Sequence, residues 1–287
     1  MSLATEHYTK LNQNHSAVSQ AKASAPHYDF SGKTALITGA ASGFGAATAK
    51  RIAASGGRVI GVDRNRATLE GVLQALSPVA NGAHHAIVAD LLSTEAIGAV
   101  VEESYRVGQH IDILVNSAGI CHFDKMSEIT TARWDEVFDI DVRSLFFLSV
   151  AVAEKVDPQR GARIINLGSN AGRKGRALSA HYAAAKAAVA NVTESLALGY
   201  GPKNVTVNTV CPAVVLTPLW NSSLEEFRNI TGKNAAELVE TWRTLTPLRR
   251  LGTVDDVTNL IVFLASDEAA FLTGQQINVC GGFMLTC

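Results

Sequence analysis

From Gly32 onward the chain alternates between two patterns, and this alternation limits what it can fold into more than any other feature. Short apolar runs rich in β-branched residues predict strands at Thr34–Thr38, Arg58–Val62, His84–Ala89, Ile111–Val115, Arg163–Leu167, Val205–Val210 and Gln275–Val279. Between them, Ala-rich stretches at helical spacing predict helices over Gly43–Ser55, Arg66–Leu76, Thr94–Val107, Thr131–Val156, Ser179–Gly199 and Val254–Ala265. Strands that alternate with helices pair in parallel through right-handed crossovers. The strand runs carry few polar alternations, as expected of strands covered on both faces. The pattern predicts α/β architecture, a single doubly wound parallel sheet of Rossmann-like type with helices on both faces. No Pro-, Gly- or Ser-rich linker and no repeat divides it, so residues 30–287 read as one domain. The segment from Pro212 to Leu251 breaks the alternation with Pro212, Pro218 and Pro247, and has helical patches at Ser223–Arg228 and Ala235–Trp242. It predicts a small helical lid over about residues 213–250, at the carboxyl edge of the sheet where ligands bind.

Residues 1–29 differ from the rest. They are polar, contain three His and no Arg, and lack the apolar run of a secretory signal. We expect an N-terminal arm or tail, with a neighbouring subunit as the candidate to hold it. Hydrophobic residues make up 47% of the chain, enough for a large core. A net charge of −1 offers no basic field for a phosphate backbone, so no nucleic-acid partner is expected. No run is long and apolar enough for a membrane span. Cys121, Cys211, Cys280 and Cys287 are scattered without a Cys-x-x-Cys pair, which predicts reduced thiols, a cytoplasmic setting and no metal site.

The first strand runs into Gly39-Ala40-Ala41-Ser42-Gly43-Phe44-Gly45, and a helix follows. Glycines there let the backbone turn tightly and approach a pyrophosphate, while the helix N-terminus supplies free N–H groups and a positive dipole end. Asp63 ends the second strand, where a carboxylate can accept hydrogen bonds from an adenosine ribose diol and repel a 2′-phosphate. Arg64 follows directly and pulls the other way; on balance NAD is favoured over NADP. Asp90 closes the third strand, and Asn116, Ser117, Ala118 and Gly119 close the fourth, which brings both to the same crevice.

The fifth strand ends at Gly168-Ser169; Tyr182 follows, with Lys186 four residues further on. On a helix, Tyr182 and Lys186 share a face one turn apart. A nearby cation and an oxidised nicotinamide both favour tyrosinate, so we expect a lowered Tyr182 pKa and a residue able to exchange a proton with an alcohol or carbonyl. Ser169 offers a hydroxyl for the substrate oxygen.

Taken together, Thr38-Gly39-x-x-x-Gly43-x-Gly45, Asp90, Asn116 to Gly119, Ser169, Tyr182-x-x-x-Lys186, Cys211-Pro212 and Gly281-Gly282 resemble the short-chain dehydrogenase/reductase family, in its order and spacing over Gly32 to Gly282. The resemblance implies a nicotinamide-dependent oxidoreductase acting on an alcohol/carbonyl pair. In it Tyr182 is the acid/base, Lys186 holds the nicotinamide ribose, and Ser169 orients the substrate. Asp63 selects NAD, Asp90 and Leu91 flank adenine, Asn116 and Ala118 line the nucleotide channel, and Val215 and Thr217, just after Pro212, contact the nicotinamide amide. It also implies a homo-tetramer or dimer paired through the helices holding Thr131–Val156 and Ser179–Gly199. Asp141 stands where the family usually has an Asn that helps hold a water beside the lysine. Its charge either leaves those contacts intact or pairs with Lys186 and blunts it. Ser117, Ser144, Ala213 and Cys280 are further departures.

For substrate contact we select Ser169, Asn170, His181, Cys121, His122, Leu219 and Trp220. Polar neighbours beside Ser169 and Tyr182 favour a polyol or sugar, because buried donors penalise analogues lacking the matching hydroxyl. The stretch Ser169 to Gly175 also resembles bacterial sugar-alcohol dehydrogenases. Simple secondary alcohols or hydroxyketones are the alternative substrates, and a non-catalytic dinucleotide-binding sensor is the alternative function.

Overall fold

The computed structural model describes residues 28–285. Seven strands pair in parallel in the order β3-β2-β1-β4-β5-β6-β7. They are β1 (Thr34–Thr38), β2 (Arg58–Asp63), β3 (His85–Val88), β4 (Ile113–Asn116), β5 (Ala162–Leu167), β6 (Val205–Pro212) and β7 (Gln276–Val279). Every predicted strand is present. The largest shifts are at β4, which starts at Ile113 rather than Ile111, and at β6, which runs on to Pro212. The strand order reverses between β1 and β4, which opens a crevice at their carboxyl ends.

Consecutive strand residues point to opposite faces, so each strand feeds two cores. Leu36, Ile60, Leu114 and Ile164 pack on one face with Leu148 and Val152. Ile37, Ile113, Val115 and Ile165 pack on the other with Ile52 and Ile261. These side chains are essentially out of water, and each contributes about 1.5–3 kcal/mol by transfer from water. The flanking helices are α1 (Gly43–Ala54), α2 (Arg66–Gln74), α3 (Thr94–Gly108), α4 (Thr131–Phe138), α5 (Leu145–Lys155), α6 (Ala180–Tyr200) and, after the lid, α9 (Val254–Ala265).

The helix expected over Thr131–Val156 is interrupted. Between α4 and α5 the backbone widens into a π turn at Asp139–Ser144. Two side chains account for the break. Ser144 Oγ donates to the Ile140 carbonyl at 2.6 Å, and Asp141 turns its carboxylate inward to meet partners in the site. Such bulges are frequent at functional sites.

The lid is helical, and its helices are longer than predicted: α7 (Pro218–Thr231) and α8 (Ala235–Leu245). Pro218 stands at the start of α7, where its missing N–H costs nothing. Gly232 ends that helix in the left-handed conformation. A parallel bridge between Val215 and Gly252 closes the base of the lid. Of the expected arm, residues 1–27 lie outside the described residues, as does Cys287. No helix among the described residues is long and apolar enough to cross a membrane.

Candidate active site

The crevice at the β1–β4 switch point has a volume of about 340 Å³. Gly39, Ser42, Gly43, Phe44, Asp63, Arg64, Asp90, Leu91, Ala118, Gly119 and Thr217 all line it. Gly45 lies just behind, and a Cβ there would fall 2.3 Å from the Gly39 carbonyl oxygen. Only glycine therefore lets α1 begin so close to the strand. Gly39 has φ of +65°, and its Cβ would press on Ala118 at 3.0 Å.

The N-termini of α2 and α3 are capped by the Asn65 and Ser93 side chains. That of α1 is not: Ser42 makes no side-chain cap bond, and the first turn holds no acidic residue. Free N–H donors and a positive dipole end thus face a glycine-lined cradle, a donor set that fits a pyrophosphate. Asp63 accepts from the backbone N–H groups of Ala41 at 3.2 Å and Asn65 at 2.9 Å, which fixes its carboxylate at the crevice wall.

A second cavity, of about 320 Å³, adjoins the first through the shared walls of Phe44, Thr217 and Leu219. Ser169, Asn170, Tyr182, Cys121, Pro212, Val215 and Trp220 line it. Ser169 sits at the end of β5, and its Oγ accepts from the Ala171 N–H at 3.1 Å, capping a 3₁₀ turn at Asn170–Arg173. That turn lies directly on α6; a Cβ on Gly172 would fall 2.6 Å from the backbone of Lys186. The close approach holds Ser169 and Tyr182 on one wall.

Lys186 is buried behind Tyr182, with Nζ 5.7 Å from the ring centroid. Its Nζ donates to the Leu167 carbonyl at 2.9 Å and lies 3.1 Å from Asp141 Oδ2. Asp141 Oδ1 accepts from the Ile120 N–H at 2.8 Å. Both sequence alternatives for Asp141 are therefore realised: the backbone contact is made, and the charge pairs with Lys186. Burial raises the Asp141 carboxyl above the usual carboxylate range, with Lys186 pulling the other way. The lowered pKa expected for Tyr182 is not found. Burial pushes the phenol well above its ordinary value, Cys121 and Asp141 add to this, and a hydrogen bond to Ser169 opposes it. Burial is the main cause, and the Lys186 cation that was expected to oppose it is itself paired with Asp141.

Fold, cradle and Ser–Tyr–Lys geometry thus coincide in one chain, and sequence comparison agrees. Residues 39–284 match the family described as enoyl-(acyl carrier protein) reductase. The chain is 34% identical over 257 residues to the 3-oxoacyl-(acyl-carrier-protein) reductase FabG of Escherichia coli (strain K12), covering 90% of this chain and 99% of that one. The chain belongs to the short-chain dehydrogenase/reductase family. It is also 36% identical over 251 residues to galactitol 2-dehydrogenase of Agrobacterium fabrum, covering 87% and 96% of the two chains. Among solved structures, it is similar to the glucose/ribitol dehydrogenase-type family member from Brucella melitensis, with a TM-score of 0.80, 30% identity and coverage of 90% and 99%. The chain is accordingly an oxidoreductase of a family that binds a nicotinamide dinucleotide.

Three expected site residues of this short-chain dehydrogenase/reductase lie elsewhere. Asn116 does not line the crevice; its Nδ2 donates to Ser149 Oγ at 3.0 Å and Asn166 Oδ1 at 2.8 Å in a buried network. His181 and His122 do not line the substrate cavity. Helical geometry turns His181 away from Tyr182, its neighbour on α6, and it is wholly buried 3.4 Å from Asp124 Oδ2. Burial lowers its pKa, against the pull of Asp124. His122 stacks on His181 and faces Glu226 of the lid at 3.2 Å. Glu226 also takes the Phe123 N–H at 2.9 Å and pairs with Arg133. The histidines therefore belong to a charged clasp joining α4, α6 and α7. Phe123, Phe227, Trp242 and Arg176 also line the second cavity; the sequence favours packing for Trp242 and a solvated basic loop for Arg176, and does not single out Phe123 or Phe227. For Phe227 and Trp242, the lid's helical pattern was the available signal.

Proposed function

We propose that the chain is an NAD-dependent oxidoreductase of a secondary alcohol/ketone pair, with a polyol or sugar as substrate and Tyr182 as acid/base. The observation that carries this reading is the junction of the two cavities: Tyr182 and Ser169 line a cavity that shares Phe44, Thr217 and Leu219 with the glycine-lined crevice. When bound, the dinucleotide supplies the hydride acceptor or donor. The chain's own part is to position and to move a proton. Ser169 Oγ orients the substrate oxygen and stabilises charge developing on it. The Tyr182 phenol gives a proton to that oxygen in reduction and takes one back in oxidation.

The crevice residues Gly39, Ser42, Gly43, Phe44 and Gly45 cradle the pyrophosphate. Ala118, Gly119, Asp90 and Leu91 flank the adenosine, and Pro212, Val215 and Thr217 face the nicotinamide end. Asp63 supports NAD over NADP, since its fixed carboxylate suits a ribose diol; Arg64 beside it is the opposing feature. Asn170 supports a hydroxylated substrate. It is buried at the cavity wall, and its Nδ2 has no hydrogen-bond partner, a donor that a substrate hydroxyl would satisfy. The galactitol and glucose/ribitol relatives lend weight to the same class. A second reading, simple secondary alcohols or hydroxyketones with an apolar body, is favoured by the cavity's aromatic side of Phe123, Trp220, Phe227 and Trp242.

The test is nicotinamide absorbance with NAD, then NADP, against polyols, diols and simple secondary alcohols. We expect NADH to form with one stereochemical series of polyols. Turnover confined to apolar alcohols supports the second reading. NAD binding without turnover of any alcohol or ketone overturns both in favour of a sensor.

A further inference from the structure

Tyr182 has a cation close behind it, yet that cation is not free to act on it. Lys186 Nζ lies 5.7 Å from the tyrosine ring centroid, a separation at which a lone positive charge favours tyrosinate. Asp141 Oδ2 is nearer, at 3.1 Å from the same Nζ. Both side chains are buried, where their attraction is little screened; burial raises the Asp141 carboxyl, and Lys186 and the Ile120 N–H favour its ionised form. The carboxylate is held in place from its other oxygen by the Ile120 N–H. Gly119 leaves room for the pair: a Cβ there would sit 3.1 Å from Asp141 Oδ1 and 3.6 Å from Lys186 Nζ.

None of the groups that act on the phenol is a second cation: Arg176 lines the same cavity and Arg173 acts on the Cys211 thiol, but neither acts on Tyr182. Around Tyr182 stand Ser169 from the end of β5, Cys121 from the loop after β4 and Cys211 from β6. The Cys121 thiol is pushed up to about 12 by burial and by Asp141, and burial also raises the Cys211 thiol. Both therefore stay neutral near pH 7. His122, the remaining titratable neighbour of Asp141, faces Glu226 and Glu136.

We propose that Asp141 is a positioning residue that takes up the charge of Lys186, keeps the Tyr182 phenol protonated near neutral pH, and so confines alcohol oxidation at this site to alkaline pH while carbonyl reduction proceeds near neutral pH. The inference rests on the oxidoreductase reading above. In reduction the Tyr182 Oη–H bond breaks and its proton passes to the carbonyl oxygen. The carbonyl carbon gains a hydride, with its electron pair, from a reduced nicotinamide dinucleotide, which leaves oxidised. Tyr182 then recovers a proton from solvent. The reverse reaction needs tyrosinate, which Asp141 withholds until alkaline pH.

The experiment titrates the full chain by tyrosinate absorbance from about pH 6 to about pH 11, the range that brackets an ordinary tyrosine near 10. Wild type and Asp141→Asn are each measured with a Tyr182→Phe counterpart subtracted, which isolates the one phenol. Asn keeps an acceptor for the Ile120 N–H; Asp141→Ser is the second variant should Asn fail to fold. In wild type we expect Tyr182 to ionise at or above about 10, and in Asp141→Asn at least about one unit lower. Equal midpoints, or a lower one in wild type, overturn the proposal. With whichever panel alcohol turns over, the rise of kcat/KM for oxidation should move to lower pH by the same interval. A shifted titration in a chain that turns over no alcohol or ketone supports the role of Asp141 and overturns the reaction. Turnover with an unshifted titration does the reverse.

Discussion

Tyr182 lines the second cavity and not the glycine-lined crevice beside it, so its replacement separates chemistry from binding. Tyr182→Phe keeps the ring and removes the proton. We expect turnover to fall by about 10²–10⁴-fold, the usual share of general acid–base catalysis, with NAD affinity nearly unchanged in an equilibrium binding assay. Loss of binding together with turnover would place the phenol in the cradle rather than at the reaction. Asp63 gives the complementary case. Its carboxylate is fixed by the Ala41 and Asn65 N–H groups at the crevice wall. Asp63→Ala removes its repulsion of a 2′-phosphate and leaves Arg64, so the ratio of kcat/KM for NAD over NADP should fall by at least about tenfold; an unchanged ratio sinks the ribose role. At this scale the sequence displayed Ser169, Tyr182 and Lys186 well, because spacing along one helix and one strand end sets their neighbourhood. It displayed His181 poorly. One residue along a helix turns a side chain by about 100°, and only the packed neighbours determine whether that rotation ends in the cavity or against Asp124.

Between residues and the whole lie the elements, and here the 3₁₀ turn of Asn170–Arg173 does the positioning. It carries Asn170 and follows Ser169, and it can lie on α6 only because Gly172 has no side chain. A Cβ would approach the Lys186 backbone to 2.6 Å, and backbone cannot give way as a side-chain tip can. Gly172→Ala should therefore destabilise by about 1–3 kcal/mol, the usual cost of overpacking, visible as a lowered midpoint of thermal unfolding. It should also reduce kcat by moving Ser169 away from Tyr182. Gly175→Ala, in the same loop with nothing within 4 Å, is the matched control and should change neither. If the two variants behave alike, the turn does not depend on that approach. Most elements were legible because period and β-branching are local properties. The π turn at Asp139–Ser144 was not. Ser144 Oγ bonds to the Ile140 carbonyl within it, and its Asp141 carboxylate meets Lys186, a partner 45 positions away in the chain that no local pattern encodes.

The whole molecule leaves apolar surface where the buried sheet gives no reason for it. Trp134 on α4 is 39% exposed, Phe147 on α5 is 46% exposed, and Leu198 on α6 is 83% exposed. All three helices lie in the segments through which the family resemblance pairs subunits. A lone exposed apolar residue is ordinary, but large ones on neighbouring helices mark a surface for association. We therefore propose a homo-tetramer or dimer built through these helices. Light scattering should give two or four times the 30.3 kDa of one chain. Phe147→Glu places a charge within the proposed contact, where burying it unpaired is costly, and should lower the measured mass while leaving far-ultraviolet circular dichroism unchanged. Because α6 also carries Tyr182 and Lys186, the dissociated form should lose part of its turnover along with its mass. Wild type that runs as a single chain would remove the assembly. A Phe147→Glu chain with the wild-type mass would move the interface to another face.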